Sequence, residues 1–229
     1  MITKEIPNIY SQFDGQDVST VKMIVSGFEV FGGLNKNPTL DILKDLKENP
    51  PPGVDLYTIA LPVEYDACFE PLESLVDDFR PDSVIALGVA AGRSSVQPER
   101  IGINIEDTGG EGRMGDNRGN TPVDRKIRGD GPDGYFSTLP NRKIIKAIRE
   151  QGIPSDLSNS AGTFICNAVL YRLMDKLIRE ERGVPAGFIH VPATPDMVPS
   201  SSGMPSMHQA DLNEAVRTAI QVIKEAEEG

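Results

Sequence analysis

Three short apolar runs constrain this chain more than any other feature of it. Residues 22–26 (KMIVS), 82–88 (DSVIALG) and 186–191 (AGFIHV) are apolar nearly throughout, yet each is too short for a buried helix. A strand that is apolar on both faces belongs in a parallel sheet covered on both sides by helices. Helical patterns alternate with these runs. Asn37-Pro38 fits an N-cap followed by proline at the first helical position, with Leu40, Leu43 and Leu46 behind it at helical spacing. Residues 54–61 read as a further strand and 65–79 as a helix ending before Pro81. Residues 140–151 carry Ile144, Ile145 and Ile148 at helical spacing, and 153–158 read as a strand. Residues 164–182 read as a helix with Ile165, Val169, Leu170, Leu173, Met174 and Leu177 on one face, and a last helix runs from Ser206 to the end. Alternation of this kind implies right-handed crossovers. The expected fold class is α/β: a single three-layer αβα domain with a mostly parallel twisted sheet flanked by helices.

The 229 residues suit one such domain, expected over 21–229. Residues 1–20 are polar and irregular and read as an N-terminal extension. The stretch at about 106–135 is rich in Gly, Asp, Asn and Arg without periodicity, and reads as a long loop. No apolar run approaches roughly 18 residues, so no membrane partner is expected. The start, MITKEIPNIYSQFDGQD, lacks a positive segment followed by an apolar one, so no secretory signal is expected either. The formal net charge of −11 repels phosphate backbones and argues against nucleic acid. Two cysteines, Cys68 and Cys166, and two histidines offer neither a disulfide in a reducing compartment nor metal-ligand spacing. No metal or cofactor is expected.

Sites in open α/β sheets form beyond the carboxyl ends of the strands. Cys166 falls one or two residues inside a helix that follows a Gly162-Thr163 turn. A free thiol titrates near pH 8.5, so only about 3% is thiolate at neutrality. A helix N-terminus lowers that value, and its N–H groups can hold the oxyanion formed when a carbonyl is attacked. By position alone, packing on the helix's apolar stripe explains Cys166 better than reactivity does. Cys68, among Phe69 and Leu72, reads as packing. A nucleophilic thiol needs a base. His190 ends a buried strand, whereas His208 lies in a polar stretch and reads as surface. Taken alone, His190 is as well explained as a core residue. With 34 acidic residues, spacing cannot choose a third partner.

Four segments, in this order and at these separations, resemble the pyroglutamyl-peptidase I (pyrrolidone-carboxylate peptidase) family of cysteine peptidases over nearly the whole chain after residue 20. They are Gly27-Phe-Glu-Val-Phe-Gly-Gly33 with Asn37-Pro38; Gly88-x-Ala-x-Gly-Arg93 with Pro98-Glu99-Arg100 and Ile103-Asn104; Ala161-Gly-Thr-Phe-Ile-Cys166-Asn167; and Gly187-Phe-Ile-His190-Val-Pro192. The resemblance implies Cys166 as nucleophile, His190 as general base and then acid, and Glu99 as the residue orienting His190. It implies removal of an N-terminal pyroglutamyl residue from peptides, without metal or cofactor, by a cytoplasmic homodimer or homotetramer. It implies an aromatic grip on the lactam ring by Phe28, Phe31 and Phe164, with Asn37, Val89 and Ile165 counted among the substrate-binding positions. Core packing is the competing explanation for the phenylalanines.

Two departures from the family pattern stand out. Val89 occupies a position where the family commonly has glutamine, which predicts substrate recognition weaker by several-fold to tenfold, the worth of one neutral hydrogen bond. The glycine-rich loop is longer than usual. These departures keep two other expectations open: a related thiol amidase with altered acyl specificity, and a non-catalytic oligomeric homologue.

Overall fold

The structure, a computed structural model, describes residues 20–108, 115–199 and 201–227. The expected extension at residues 1–20 falls, but for its last residue, outside them. Five strands form the main sheet in the order β2-β1-β3-β7-β4. They are β1 (Val21–Phe28), β2 (Val54–Leu61), β3 (Ser83–Val89), β4 (Gln97–Pro98) and β7 (Ala186–Val191). β1 pairs in parallel with β2 and β3, and β3 with β7; the two-residue edge strand β4 runs antiparallel to β7. A second small sheet pairs β5 (Ile101–Ile103) with β6 (Gly134–Phe136).

Side-chain alternation along the central strands assigns the helices to two faces. Met23 and Val25 of β1, Ile85 and Leu87 of β3, and Ile189 and Val191 of β7 share one core. They pack there with α1 (Pro38–Glu48), α3 (Asn141–Glu150) and α5 (Gln209–Glu227). Ile24, Val84, Ala86, Ala186 and Phe188 point the other way, to α2 (Glu70–Phe79) and α4 (Ile165–Arg179). The molecule is therefore α/β, with a mostly parallel sheet between two helical layers. α1 starts where the sequence places it: Asn37 Oδ1 accepts from Thr39 N at 3.1 Å and Pro38 fills the first turn.

Four local expectations are corrected. Residues 153–158 are not a strand. They make two single bridges, Ser155 to Val96 and Ser158 to Glu99, and Pro154 has no N–H to extend a ladder. The helix expected from residue 65 starts at Glu70: residues 64–68 close a separate turn, with Cys68 N on Glu64 O at 2.8 Å, and Pro71, which has no N–H to continue that turn, sits in the first turn of the helix. The stretch expected as loop to about residue 135 ends in β6, where Tyr135 and Phe136 supply strand propensity. The last helix starts at Gln209 rather than Ser206.

Candidate active site

The same alternation that builds the two cores brings the reactive groups together. His190 follows Phe188 by two residues and so faces the α4 layer near the carboxyl end of β7. Gly88 follows Ala86 by two on β3 and pairs in register with His190. Cys166 is the second residue of α4, whose first turn lies over that edge of the sheet. A Cβ on Gly88 would lie 2.9 Å from Cys166 Sγ and 2.8 Å from Phe188 Cζ. The thiol thus rests in space left by a missing side chain, over Gly88, whose backbone lies about one strand spacing (roughly 4.8 Å) from that of His190. The N-cap residue is Phe164, whose side chain makes no cap bond to the first-turn N–H groups. Cys166 is partly exposed, whereas Cys68 is fully buried. Burial pushes the Cys68 thiol up to about 12, which leaves it protonated and inert near neutrality.

Glu99 arrives from the other side of the ring. Continuing the antiparallel register of β4, Glu99 N donates to Phe188 O at 2.8 Å, which puts its side chain on the face shared by Phe188 and His190. His190 Nδ1 donates to Glu99 Oε1 at 2.6 Å. Both side chains are buried, Glu99 at 0% and His190 at 4% exposure. A carboxylate on Nδ1 fixes the imidazole tautomer and leaves Nε2 on the opposite edge of the ring. Asn141 Nδ2, at the start of α3, donates to the Glu99 backbone carbonyl at 3.0 Å. Arg93 Nη1 donates to the same Glu99 oxygen at 2.7 Å.

In front of Cys166 and His190 lies a cavity of about 690 Å³, with Phe28, Phe31, Asn37, Val89, Phe164 and Ile165 in its wall. Phe164 stacks edge-on to Tyr65 at 5.5 Å and tilted to Phe31 at 6.3 Å. Phe28 reaches the wall from the end of β1, and its ring leans on Phe188. Asn37 has a structural duty as well. Its Oδ1 accepts from Thr39 N and Oγ1, and Nδ2 donates to Glu29 O at 3.1 Å. Glu99 is fully buried and meets the cavity only through what it does to His190 and Arg93, both of which line it.

Sequence reasoning gave no role to three features of the site. Gly88 is only a motif letter in the sequence, and the packing of Cys166 and Phe188 shows what its missing Cβ makes room for. Arg93 also lines the cavity. The third is the segment that follows the undescribed residues 109–114, beginning at Gly115 in the cavity wall. Asp116 is buried and accepts from Tyr65 N, Arg118 N, Asn120 N and Asn120 Nδ2 at 2.8–3.0 Å. Burial works to raise its carboxyl, and the donors from Asn120, Tyr65 and Arg118 outweigh that and hold it below the usual range. Asn117 staples the segment to the strand ends through its N–H to Val63 O and its Nδ2 to Val30 O. The Asp-Asn-x-Gly-Asn pattern is a turn signal that carried this information.

Among the described residues, no group of three or more His, Cys, Asp or Glu side chains is arranged to hold a metal ion, and no helix is long and apolar enough to cross a membrane.

The family model for pyroglutamyl peptidases matches residues 21–226. Pyrrolidone-carboxylate peptidase 1 of Caldanaerobacter subterraneus subsp. tengcongensis is 35% identical over 206 residues, covering 90% of this chain and 99% of that protein. The solved pyrrolidone carboxyl peptidase from Thermococcus litoralis superposes with a TM-score of 0.85 at 37% identity, covering 91% of this chain and 95% of that one. The pyroglutamyl peptidase I structure from Bacillus amyloliquefaciens gives 0.83 at 32% identity, covering 89% and 94%.

Proposed function

This chain belongs to the pyroglutamyl peptidase family, and from that premise we propose that it is a cysteine peptidase that removes the N-terminal pyroglutamyl (5-oxoprolyl) residue from peptides, with Cys166, His190 and Glu99 as its catalytic set. The observation that carries the assignment is the seat of Cys166 Sγ over Gly88, the register partner of a histidine whose Nδ1 is held by a buried carboxylate. His190 Nε2 takes the Cys166 thiol proton as Sγ attacks the carbonyl carbon of the scissile amide. The resulting oxyanion is met by N–H groups at the start of α4. Collapse breaks the C–N bond, and the leaving amine takes its proton from His190. The thioester on Cys166 is then attacked by water, which gives a proton to His190. Pyroglutamate leaves and the thiol is restored. The reaction needs no metal or cofactor.

The cavity supports the acyl preference. A flat, uncharged lactam suits a slot walled by Phe28, Phe31 and Phe164. A protonated α-amine loses its hydration there and meets no carboxylate among the described wall residues, which disfavours ordinary N-termini. Asn37, Val89 and Ile165 complete the wall. The matched span supports residues 21–229 as one peptidase domain, with 1–20 as an extension to it. On the same reading the enzyme is a cytoplasmic homodimer or homotetramer, which sedimentation of the purified chain and cell fractionation will test.

The primary experiment is hydrolysis of a pyroglutamyl-coumarin reporter. Wild type and Cys68→Ser should turn over, and Cys166→Ser should not. Full activity in Cys166→Ser would reject the assignment. Val89 in the cavity wall favours one second reading, a thiol amidase of altered acyl specificity. A panel of acyl-amide reporters separates the two, since that reading requires a non-lactam acyl group to be preferred.

A further inference from the structure

We propose that Arg93 is a positioning residue for this reaction, locking Glu99 against His190 and tying that pair to the turn that carries the substrate slot and the nucleophile. The inference rests on the catalytic reading above and goes a layer behind it. Arg93 sits where the chain turns after β3: Ala90 N donates to Val191 O, Arg93 N donates to Ala90 O, and Gly92 adopts φ +92°. Only glycine takes that backbone readily, and the turn sends the guanidinium back toward β4. Its planar fork then serves three acceptors. Nη1 donates to Glu99 Oε1 and to Gln97 Oε1, each at 2.7 Å, and Nη2 donates to Ser160 O at 3.2 Å. Gln97 is itself fixed by a bond from its Nε2 to Ser95 Oγ at 2.9 Å. Ser160 opens the segment that leads through Phe164 to Cys166.

Glu99 depends on this arrangement. Its Oε1 receives both His190 and Arg93, whereas Oε2 is buried and has no hydrogen-bond partner among the described residues. Two charge-assisted bonds to one oxygen therefore set the whole orientation of the carboxylate. Without Arg93 the group is free to turn about its Cγ–Cδ bond and remains a fully buried charge with His190 as its one side-chain partner among the described residues. The guanidinium also acts on His190 directly. Both bond the same oxygen, so they lie within about 5 Å of each other, and the fixed positive charge opposes protonation of the ring. Among the described residues, the charged and titratable groups facing His190 include Glu99 beyond β4, Arg93 beyond β3 and Cys166 on α4. From α3 the neighbour is the neutral Asn141, and the strand neighbours are Phe188 and the neutral Gln97. A lysine cannot reproduce this fork, because its ammonium is a point charge without the planar geometry.

The chain has two histidines, and His208 is exposed, so imidazole resonances report His190 cleanly against an internal reference. The experiment is an NMR titration of His190 in the Cys166→Ala protein, carrying Arg93→Met, Arg93→Gln or Arg93→Lys, with steady-state kinetics in the Cys166-containing versions. Arg93→Gln keeps a donor toward Glu99 without the charge and serves if Arg93→Met does not fold. In both neutral variants the His190 midpoint should rise by about one pH unit or more, and kcat should fall about ten- to a hundredfold, further than KM rises. Arg93→Lys should bring the midpoint back toward that of the parent. A midpoint unmoved in the neutral variants, or kcat within twofold of wild type, overturns the inference and assigns Arg93 to scaffold only. If the wild type fails to hydrolyse the pyroglutamyl reporter, the catalytic reading falls instead, and the titration distinguishes that failure because it needs no turnover.

Discussion

Gly88→Ala probes the geometry on which the nucleophile depends. The added Cβ would sit 2.9 Å from Cys166 Sγ, 2.8 Å from Phe188 Cζ and 3.0 Å from Phe188 Cε1. Non-bonded heavy atoms settle at about 3.5–4.0 Å, so the thiol has to retreat by at least about 0.6 Å. The Phe188 ring gives little ground, since it is buried between Phe28 and His190. A shift approaching 1 Å in a reacting atom costs up to about a hundredfold in rate. The expected loss in kcat/KM is about ten- to a hundredfold, or about 1.4–2.7 kcal/mol of transition-state stabilisation. Overpacking adds a separate cost of about 1–3 kcal/mol in stability, which for a chain of this size lowers Tm by about 2–12 °C. The assay is reporter hydrolysis with iodoacetamide labelling at 25 °C, where the variant remains folded, alongside a thermal melt. Gly134→Ala serves as the control. Its Cβ would meet Gly102 O at 3.0 Å in the small β5–β6 sheet, away from the thiol, so it should lose stability and keep its turnover. A folded Gly88→Ala enzyme within twofold of wild-type kcat/KM would refute the claim that Cys166 Sγ works from this seat.

Iodoacetamide near neutral pH should label Cys166 stoichiometrically and spare Cys68, whose thiol is held up near 12 by burial; peptide mapping that finds Cys68 labelled in the folded protein contradicts this. Val89→Gln should lower KM for a pyroglutamyl reporter by several-fold to tenfold, one neutral hydrogen bond, and an unchanged KM means that the side chain at this wall position does not read the lactam. Asp116→Ala should cost about 2–3 kcal/mol in urea unfolding at pH 7, because it strands the N–H groups of Tyr65, Arg118 and Asn120, and should raise KM by loosening the Gly115 wall. The Asp116 carboxyl is lowered in the folded state, so its ionic contribution is present above the ordinary carboxylate range and is lost as pH falls through the lowered value. The stability gap between wild type and Asp116→Asn should therefore narrow as pH falls below the ordinary aspartate value of about 3.9, and a gap constant with pH would count against the ionised form.

The sheet was legible because its strands announce themselves locally. Residues 186–191 are buried at every position, and an apolar run of that length has few other fates. Asn37-Pro38 was legible for the same reason, since a cap and a first-turn proline act on adjacent residues. The edge of the site was not legible. β4 is two residues long and contains Pro98, and only its antiparallel register against β7 turns Glu99 toward His190. Nothing within five residues of Glu99 specifies that pairing. The Ser155 and Ser158 bridges failed on the same ground, since their partners Val96 and Glu99 each lie 59 residues away, whereas the helix start at Glu70 was a local signal missed at Pro71. Cys166 and His190 stood out as residue types, while their approach depended on a glycine whose contribution is an absence of atoms. Arg93 was visible only as a letter in a motif, because its three acceptors come from three separate stretches of chain.

The central claim is that Cys166 Sγ forms a thioester with a pyroglutamyl group. It is tested most directly by acid-quenching the enzyme during turnover of a pyroglutamyl ester or anilide and locating the adduct by mass spectrometry. The account predicts a pyroglutamyl adduct on the peptide containing Cys166, present in the first turnover and absent in Cys166→Ser. An adduct on any other residue, or continued turnover by Cys166→Ser, would contradict it.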